Sequence, residues 1–169
     1  MTIRKLLIAN RGEIASRIIS SAHDMGISCV AIYTEADKDT PYVREADQAF
    51  KLSDSYLNSK EILDIALKSN SDAIHPGYGF LSENSAFANQ VKKLNIKWVG
   101  PSSNAIKKMG DKLTAKEIAI KANVPTLPMT SDPKKANSIG YPILVKAAAG
   151  GGGKGMRIVE KAKDLKESI

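Results

Sequence analysis

Five of the six residues at positions 150–155 are glycine (GGGGKG), and the run lies between two apolar, β-like segments, PILVK at 142–146 and MRIV at 156–159. Backbone without Cβ atoms reaches φ > 0 and turns successive N–H groups toward anionic oxygens, at an entropic cost that a simple hairpin does not require. A two-residue turn joins two strands more cheaply, so the run reads as a lid that closes over phosphate. Lys146 ends the first segment and Lys154 stands inside the loop, two cations for one polyphosphate. A P-loop is excluded: there GK is followed by Ser or Thr and opens a helix, whereas Lys154 is followed by Gly155 and a β-like segment. The competing reading of the motif alone is a mobile surface hairpin with incidental lysines.

The second chemically informative stretch is HPGYGFLSEN at 75–84, at the end of a short apolar run. Open α/β sheets bind ligands at the C-terminal ends of their strands, and Ser82 or Asn84 is placed to cap a following helix. The alternative is structural, with glycines forming a tight turn and Tyr78 packed on a neighbouring domain. No carboxylate partner for His75 is identifiable, so it reads as a hydrogen-bonded structural residue rather than a general base. Asn10-Arg11-Gly12 holds the place where a dinucleotide enzyme presents GxGxxG, with one glycine only. Glu35 and Asp37 follow the second apolar run where an acid often binds ribose, but without the glycine fingerprint an NAD enzyme is disfavoured. Arg11 and Glu13 are expected to fix the turn and its packing. His23, beside Asp24, is expected at the surface.

These residues need a scaffold, and residues 1–100 alternate short apolar runs with helical patterns, the signature of βαβ units and a parallel sheet. Strands are expected over 6–9, 29–33, 49–52, 73–74 and 97–99. Helices are expected over 13–25, with an inward stripe of Ile14, the Arg17 stem, Ile18, Ala22 and Met25 and a stop at Gly26, over 59–68 with Ser59 as cap and Ile62, Ile65 and Ala66 inward, and over 83–94. Two more follow at 102–109 and 112–122, separated by Gly110 and Asp111, the latter as cap. VPTLP at 124–128 then marks a connector into a second domain, giving boundaries of 1–110 and 111–169. The final helix, from about position 161, reaches Ile169 without a stop signal, so the sequence reads as a fragment.

The chain has 169 residues, 43% of them apolar, enough for a buried core. It contains no membrane-length apolar run and no signal-peptide pattern, so a cytoplasmic protein is expected. The lone cysteine, Cys29, lies in an apolar run and reads as a small core residue; with two histidines in the chain no metal site is expected around it. The net charge of +7 is uneven: residues 1–106 carry 12 Lys and Arg against 12 Asp and Glu, and residues 107–169 carry 13 against 6. The only aromatic after Trp98 is Tyr141, so nucleic-acid binding is disfavoured and a polyphosphate ligand explains the asymmetry better. Solvated faces of helices such as 115–122 remain the alternative.

Four segments, in this order and spacing, resemble the biotin carboxylase family, the ATP-grasp component of biotin-dependent carboxylases that act on acetyl-CoA, propionyl-CoA, methylcrotonyl-CoA or pyruvate. They are IANRGEIA at 8–15, IHPGYGFLSEN at 74–84, MGDK at 109–112, and KAAA with the glycine loop through Met156 at 146–156. The resemblance implies a Rossmann-like parallel-sheet α/β domain followed by the beginning of an ATP-grasp domain. It implies ATP, Mg²⁺ and bicarbonate as ligands and biotin on a carrier domain or protein as the carboxyl acceptor. Lys112 and Lys146 match the family's ATP-binding lysines. Gly151, Gly152, Gly153, Lys154, Gly155 and Met156 match its lid and nucleotide contacts, with Lys154 standing where members carry arginine or lysine. Tyr78 and Gly79 are the candidates nearest biotin.

No catalytic residue is identifiable, and the family's Mg²⁺ ligands, bicarbonate-holding cations and biotin base are expected beyond Ile169. The fragment alone is therefore expected to be inactive. Implied partners are a biotin carboxyl carrier, a carboxyltransferase component and further copies of the chain; no nucleic acid and no membrane are implied. The segment MTSDPKKANSIG at 129–140 departs from the family, being shorter than its usual connector and lacking a glycine after Pro128. Two other readings stand beside this one: another ATP-grasp ligase, such as a carbamoyl-phosphate synthetase, and a non-catalytic nucleotide-binding or assembly module.

Overall fold

In the computed structural model the described residues are 2–146 and 155–169. The chain divides into two compact units, Met1–Gly110 and Asp111–Ile169.

Unit one is built on a five-stranded, all-parallel sheet: β1 (Lys5–Ile8), β2 (Ser28–Tyr33), β3 (Gln48–Lys51), β4 (Ala73–His75) and β5 (Lys97–Trp98), in the order β3-β2-β1-β4-β5. Helices α1 (Gly12–Asp24), α2 (Pro41–Glu45), α3 (Ser59–Lys68), α4 (Ser85–Lys93) and α5 (Ser103–Gly110) complete it. The central strands are apolar throughout because both faces of the sheet are covered. Side chains alternate: Leu6, Ile8, Cys29, Ala31 and Ala73 meet Ala15, Ile19 and Ala22 of α1 and Tyr42 of α2. Leu7, Ala9, Val30, Ile32 and Ile74 meet Ile62, Ile65 and Ala66 of α3 and Phe87 and Val91 of α4. The sheet is thus doubly wound, and its order reverses between β1 and β4, where a crevice is expected at the strands' C-terminal ends.

Several expectations shift by a residue or two. In α1 Ala22 is buried as expected, but the other fully buried residues are Ala15 and Ile19, with Ile14 and Ile18 half-buried, and Met25, just past the helix end, is exposed. Asn58, not Ser59, caps α3 by accepting from the Glu61 N–H at 3.2 Å. Asn84 caps α4, accepting from the Phe87 N–H at 2.9 Å. A 3₁₀ turn (Glu35–Asp37) and α2 occupy a stretch without a clear apolar period.

Unit two contains α6 (Lys112–Lys121), capped by Asp111 through the Thr114 N–H at 2.7 Å, then a 3₁₀ segment (Pro133–Ser138) and β6 (Ile143–Val145). It continues with β7 (Arg157–Val159), a 3₁₀ turn (Ala162–Asp164) and α7 (Leu165–Ser168). β6 and β7 pair antiparallel, with Val145 opposite Arg157. Only Ala136 and Val159 are buried among the described residues of this unit, and α6 has no buried residue. Two short strands and two helices, one of four residues, do not enclose a core.

Candidate functional site

The crevice between β1 and β4 is closed by Asn10. This residue follows β1, is 2% exposed, and donates through Nδ2 to the carbonyls of Pro76 at 2.6 Å and Tyr78 at 2.8 Å. Its Oδ1 accepts the Arg11 N–H at 2.9 Å. The ladder carries both loops to this point, since the Ala9 N–H donates to the His75 carbonyl at 2.9 Å. Gly77 has φ +63°, and a Cβ there would lie 2.6 Å from Asn10 Nδ2, so close approach and backbone conformation both require glycine. His75 Nδ1 accepts the Gly77 N–H at 3.0 Å, and burial lowers its pKa, leaving a neutral structural ring as expected.

Beside the clamp, Arg11 pairs with Asp37 through two guanidinium nitrogens, Nε at 2.7 Å from Oδ2 and NH2 on Oδ1. Tyr56 donates its hydroxyl to Asp37 Oδ2 at 2.6 Å, contacts the Tyr42 hydroxyl at 2.9 Å and accepts the Thr34 N–H at 3.1 Å. Hydrogen bonding from Arg11 holds the Asp37 pKa below the usual carboxylate range, and the same pair raises that of Arg11. Asp37, which occupies the ribose-acid position of a dinucleotide fold, is therefore consumed by structure. Glu35 is equally engaged, accepting from Lys38 and Lys51 at 2.7 Å each. Arg11 acts as the turn-fixing residue expected of it.

The clamp presents Tyr78, Gly79 and Phe80 to solvent. The Tyr78 hydroxyl donates to Glu13, which raises its pKa, while Phe80 packs on Tyr56 with ring centroids 5.3 Å apart. The loop expected near biotin is thus exposed at its tip and tied at its base.

In unit two, Lys112 stands exposed at the first position of α6, and Lys146 directly follows β6. Continuing the β6–β7 register one step sets Lys146 opposite Met156. Strand alternation then puts Leu144 and Lys146 on one face with Met156 and Ile158. The apolar members of that face are uncovered, Ile158 to 70%. Gly155 has φ +76° and leads the chain into β7. Gly151, Gly152, Gly153 and Lys154 lie outside the described residues. The sequence reading singled out Met156 and passed over Leu144 and Ile158; the signal was their place two residues from Lys146 and Met156 on the same strands. Lys146 at the mouth of the hairpin and uncovered apolar side chains on the same face suit a ligand with an anionic end and an apolar end.

A doubly wound parallel domain followed by a glycine-linked hairpin that carries basic residues defines an α/β protein of the ATP-grasp kind. The chain belongs to the biotin carboxylase N-terminal domain family, whose model matches residues 2–106, and residues 111–169 match the carbamoyl-phosphate synthase L chain, ATP binding domain. It is 48% identical, over 99% of its length, to the methylcrotonoyl-CoA carboxylase subunit alpha of Dictyostelium discoideum, covering 26% of that protein. Against biotin carboxylase 1 of Bacillus subtilis the identity is 48%, covering 99% of this chain and 40% of the relative. The biotin carboxylase domain dimer of Hydrogenobacter thermophilus 2-oxoglutarate carboxylase, solved with MgADP, ADP and bicarbonate, superposes with a TM-score of 0.93 at 42% identity, over 99% of this chain and 40% of that one. The chain thus spans between a quarter and two fifths of these relatives. No helix among the described residues is long and apolar enough to cross a membrane.

Proposed function

We propose that this chain is the N-terminal part of a biotin carboxylase, an ATP-dependent ligase that carboxylates carrier-bound biotin with bicarbonate. The observation that carries the reading is the β6–β7 hairpin, which sets Lys146 across from Met156 over an uncovered apolar face. It lies in a chain whose residues 2–106 are of the biotin carboxylase N-terminal type. Units one and two are then the Rossmann-like domain and the opening of the ATP-grasp domain.

In this reading Lys112, Lys146 and the loop residues Gly151, Gly152, Gly153, Lys154 and Gly155 hold the polyphosphate of ATP, while Leu144, Met156 and Ile158 pack against its nucleoside. Bicarbonate oxygen attacks the γ-phosphorus, the bond to the β-phosphate oxygen breaks, and ADP leaves. The carboxyphosphate then delivers CO₂ to a ureido nitrogen of biotin and releases phosphate. Such a transfer asks the protein mainly for positioning and charge neutralisation, which lysines and backbone N–H groups provide. Mg²⁺ adds further neutralisation of the phosphates when bound. No described residue is assigned to it, and none to the acid-base steps. The clamped loop bearing Tyr78 and Gly79 borders the biotin. A biotin carboxyl carrier, a carboxyltransferase component, homo-oligomeric assembly and a cytoplasmic setting belong to the same reading.

The test is ATP cleavage by the full-length protein carrying this chain. Cleavage that requires both bicarbonate and biotin sustains the proposal. Cleavage that needs bicarbonate and is indifferent to biotin turns the reading toward a carbamoyl-phosphate synthetase-like ligase, the family that residues 111–169 match.

A further inference from the structure

In unit one, three side chains from separate parts of the sequence converge. They are His23 near the C-terminal end of α1, Cys29 in β2 and Asp47 just before β3. One ligand atom from each lies within 4.8 Å of the others, and among the described residues this is the one group of three or more such side chains placed that closely. We propose that His23, Cys29 and Asp47 form a binding site for a thiophilic divalent cation of the Zn²⁺ type.

The donor set, one imidazole nitrogen, one thiolate and one carboxylate, matches what Zn²⁺ takes in three-ligand sites that keep a fourth position for water. A thiolate and a carboxylate together neutralise a divalent ion, so the occupied site carries no net charge into the partly buried edge of the sheet. Access is built in: the His23 and Asp47 side chains are 42% and 46% exposed, while Cys29 forms the closed floor. The ligands are oriented in advance by a hydrogen bond from the Cys29 N–H to Asp47 Oδ2 at 2.7 Å.

Tetrahedral bonds of the usual Zn–N, Zn–O and Zn–S lengths separate ligand atoms by about 3.3 to 3.6 Å. His23 Nε2 and Asp47 Oδ2, now 3.0 Å apart, must part slightly, and the sulfur, within 4.8 Å of both, must draw in by up to about 1.2 Å. Binding exchanges the Cys29 S–H bond for an S–Zn bond and releases that proton to solvent, while the proton that His23 Nε2 shares with Asp47 moves to Nδ1 so that the Nε2 lone pair is free to bind.

Titration of the untagged full chain with Co²⁺, which adopts the tetrahedral sites of Zn²⁺, tests the site. One equivalent is expected to bring up a thiolate-to-cobalt charge-transfer band with intense tetrahedral d–d absorption, both bleached by Zn²⁺. Cys29→Ser is expected to abolish the charge-transfer band. His23→Gln, at an exposed position that tolerates the change, is expected to weaken Co²⁺ binding by roughly 100-fold. Thermal unfolding without metal establishes that both variants are folded. The absence of a charge-transfer band at millimolar Co²⁺, its survival in Cys29→Ser, or an affinity unchanged in His23→Gln overturns the proposal and leaves the trio a hydrogen-bonded structural contact.

Discussion

Replacing Asn10 by alanine removes, in one side chain, both hydrogen bonds that tie the 76–80 loop to the end of β1. It also strands two carbonyl oxygens and the Arg11 N–H at a position that is 2% exposed. Each neutral hydrogen bond contributes about 1 kcal/mol net, and a buried group left without a partner costs about 1 to 3 kcal/mol. Water entering the small cavity re-satisfies part of this, so the expected loss is about 3 kcal/mol. In a unit of 110 residues that amounts to a fall in Tm of roughly 13 °C. Asn10→Asp is expected to be at least as damaging, because it sets a carboxylate against the same two carbonyls. Urea unfolding followed by tryptophan fluorescence reports the change directly, since Trp98 packs edge-on against Phe87 in the same unit. A loss below about 0.5 kcal/mol for Asn10→Ala, with an unchanged m-value, would refute the clamp as an energetic element of the fold.

Tyr56→Phe deletes a hydroxyl that serves Asp37, Tyr42 and Thr34 at once, and a loss of about 2 kcal/mol is expected on urea unfolding. Gly77→Ala, which places a methyl 2.6 Å from Asn10 Nδ2 at φ +63°, is expected to destabilise as much as Asn10→Ala, and their double mutant to lose less than the sum. For pH, burial depresses the pKa of His75 below 6.5, so its contribution to stability is complete above pH 6.5 and is lost as pH falls through the folded value. The contribution of Asp37, depressed chiefly by hydrogen bonding from Arg11, is complete above pH 3.8 and lost at still lower pH. Stability measured from pH 8 to 3 should therefore decline in two stages, and His75→Gln should remove the first. In the full-length protein Lys146→Ala is expected to lower kcat/KM for ATP by about 10² to 10³. The exposed position of Lys146 predicts an unchanged Tm, which separates loss of ligand contact from loss of fold.

The strands and long helices were readable because burial leaves a period in the sequence. Cys29–Tyr33 is apolar without interruption because β2 is covered on both faces, and Ile62, Ile65 and Ala66 recur at helical spacing because α3 lies on the sheet. The stretch 35–45 was missed because a 3₁₀ turn and a helix of five residues are too short to show a period, and Tyr42 is its one fully buried side chain. In α1 the expected Ala22 is inward, whereas Ala15 and Ile19 are fully buried in place of their neighbours Ile14 and Ile18, because adjacent apolar residues leave the helical period open by one position. Leu144 and Ile158 were passed over because a glycine-rich lid draws attention to the loop, whereas the antiparallel register assigns a face to the strands beside it.

By itself, then, the sequence determined the alternation of strands and helices, the glycine-linked pair of β segments with its lysines, and the motifs that place the chain in its family. All are local: each depends on residues within a turn, a strand or one loop. What only the tertiary structure decided are the meetings of residues far apart in the chain. The strand order β3-β2-β1-β4-β5 sets the end of β1 against the end of β4, which makes Asn10 a clamp. The same order turns Asp37 from a candidate ribose acid into the partner of Arg11, and brings His23, Cys29 and Asp47 within reach of one ion. Such contacts leave no periodicity, because they are set by strand order and by which face each helix covers.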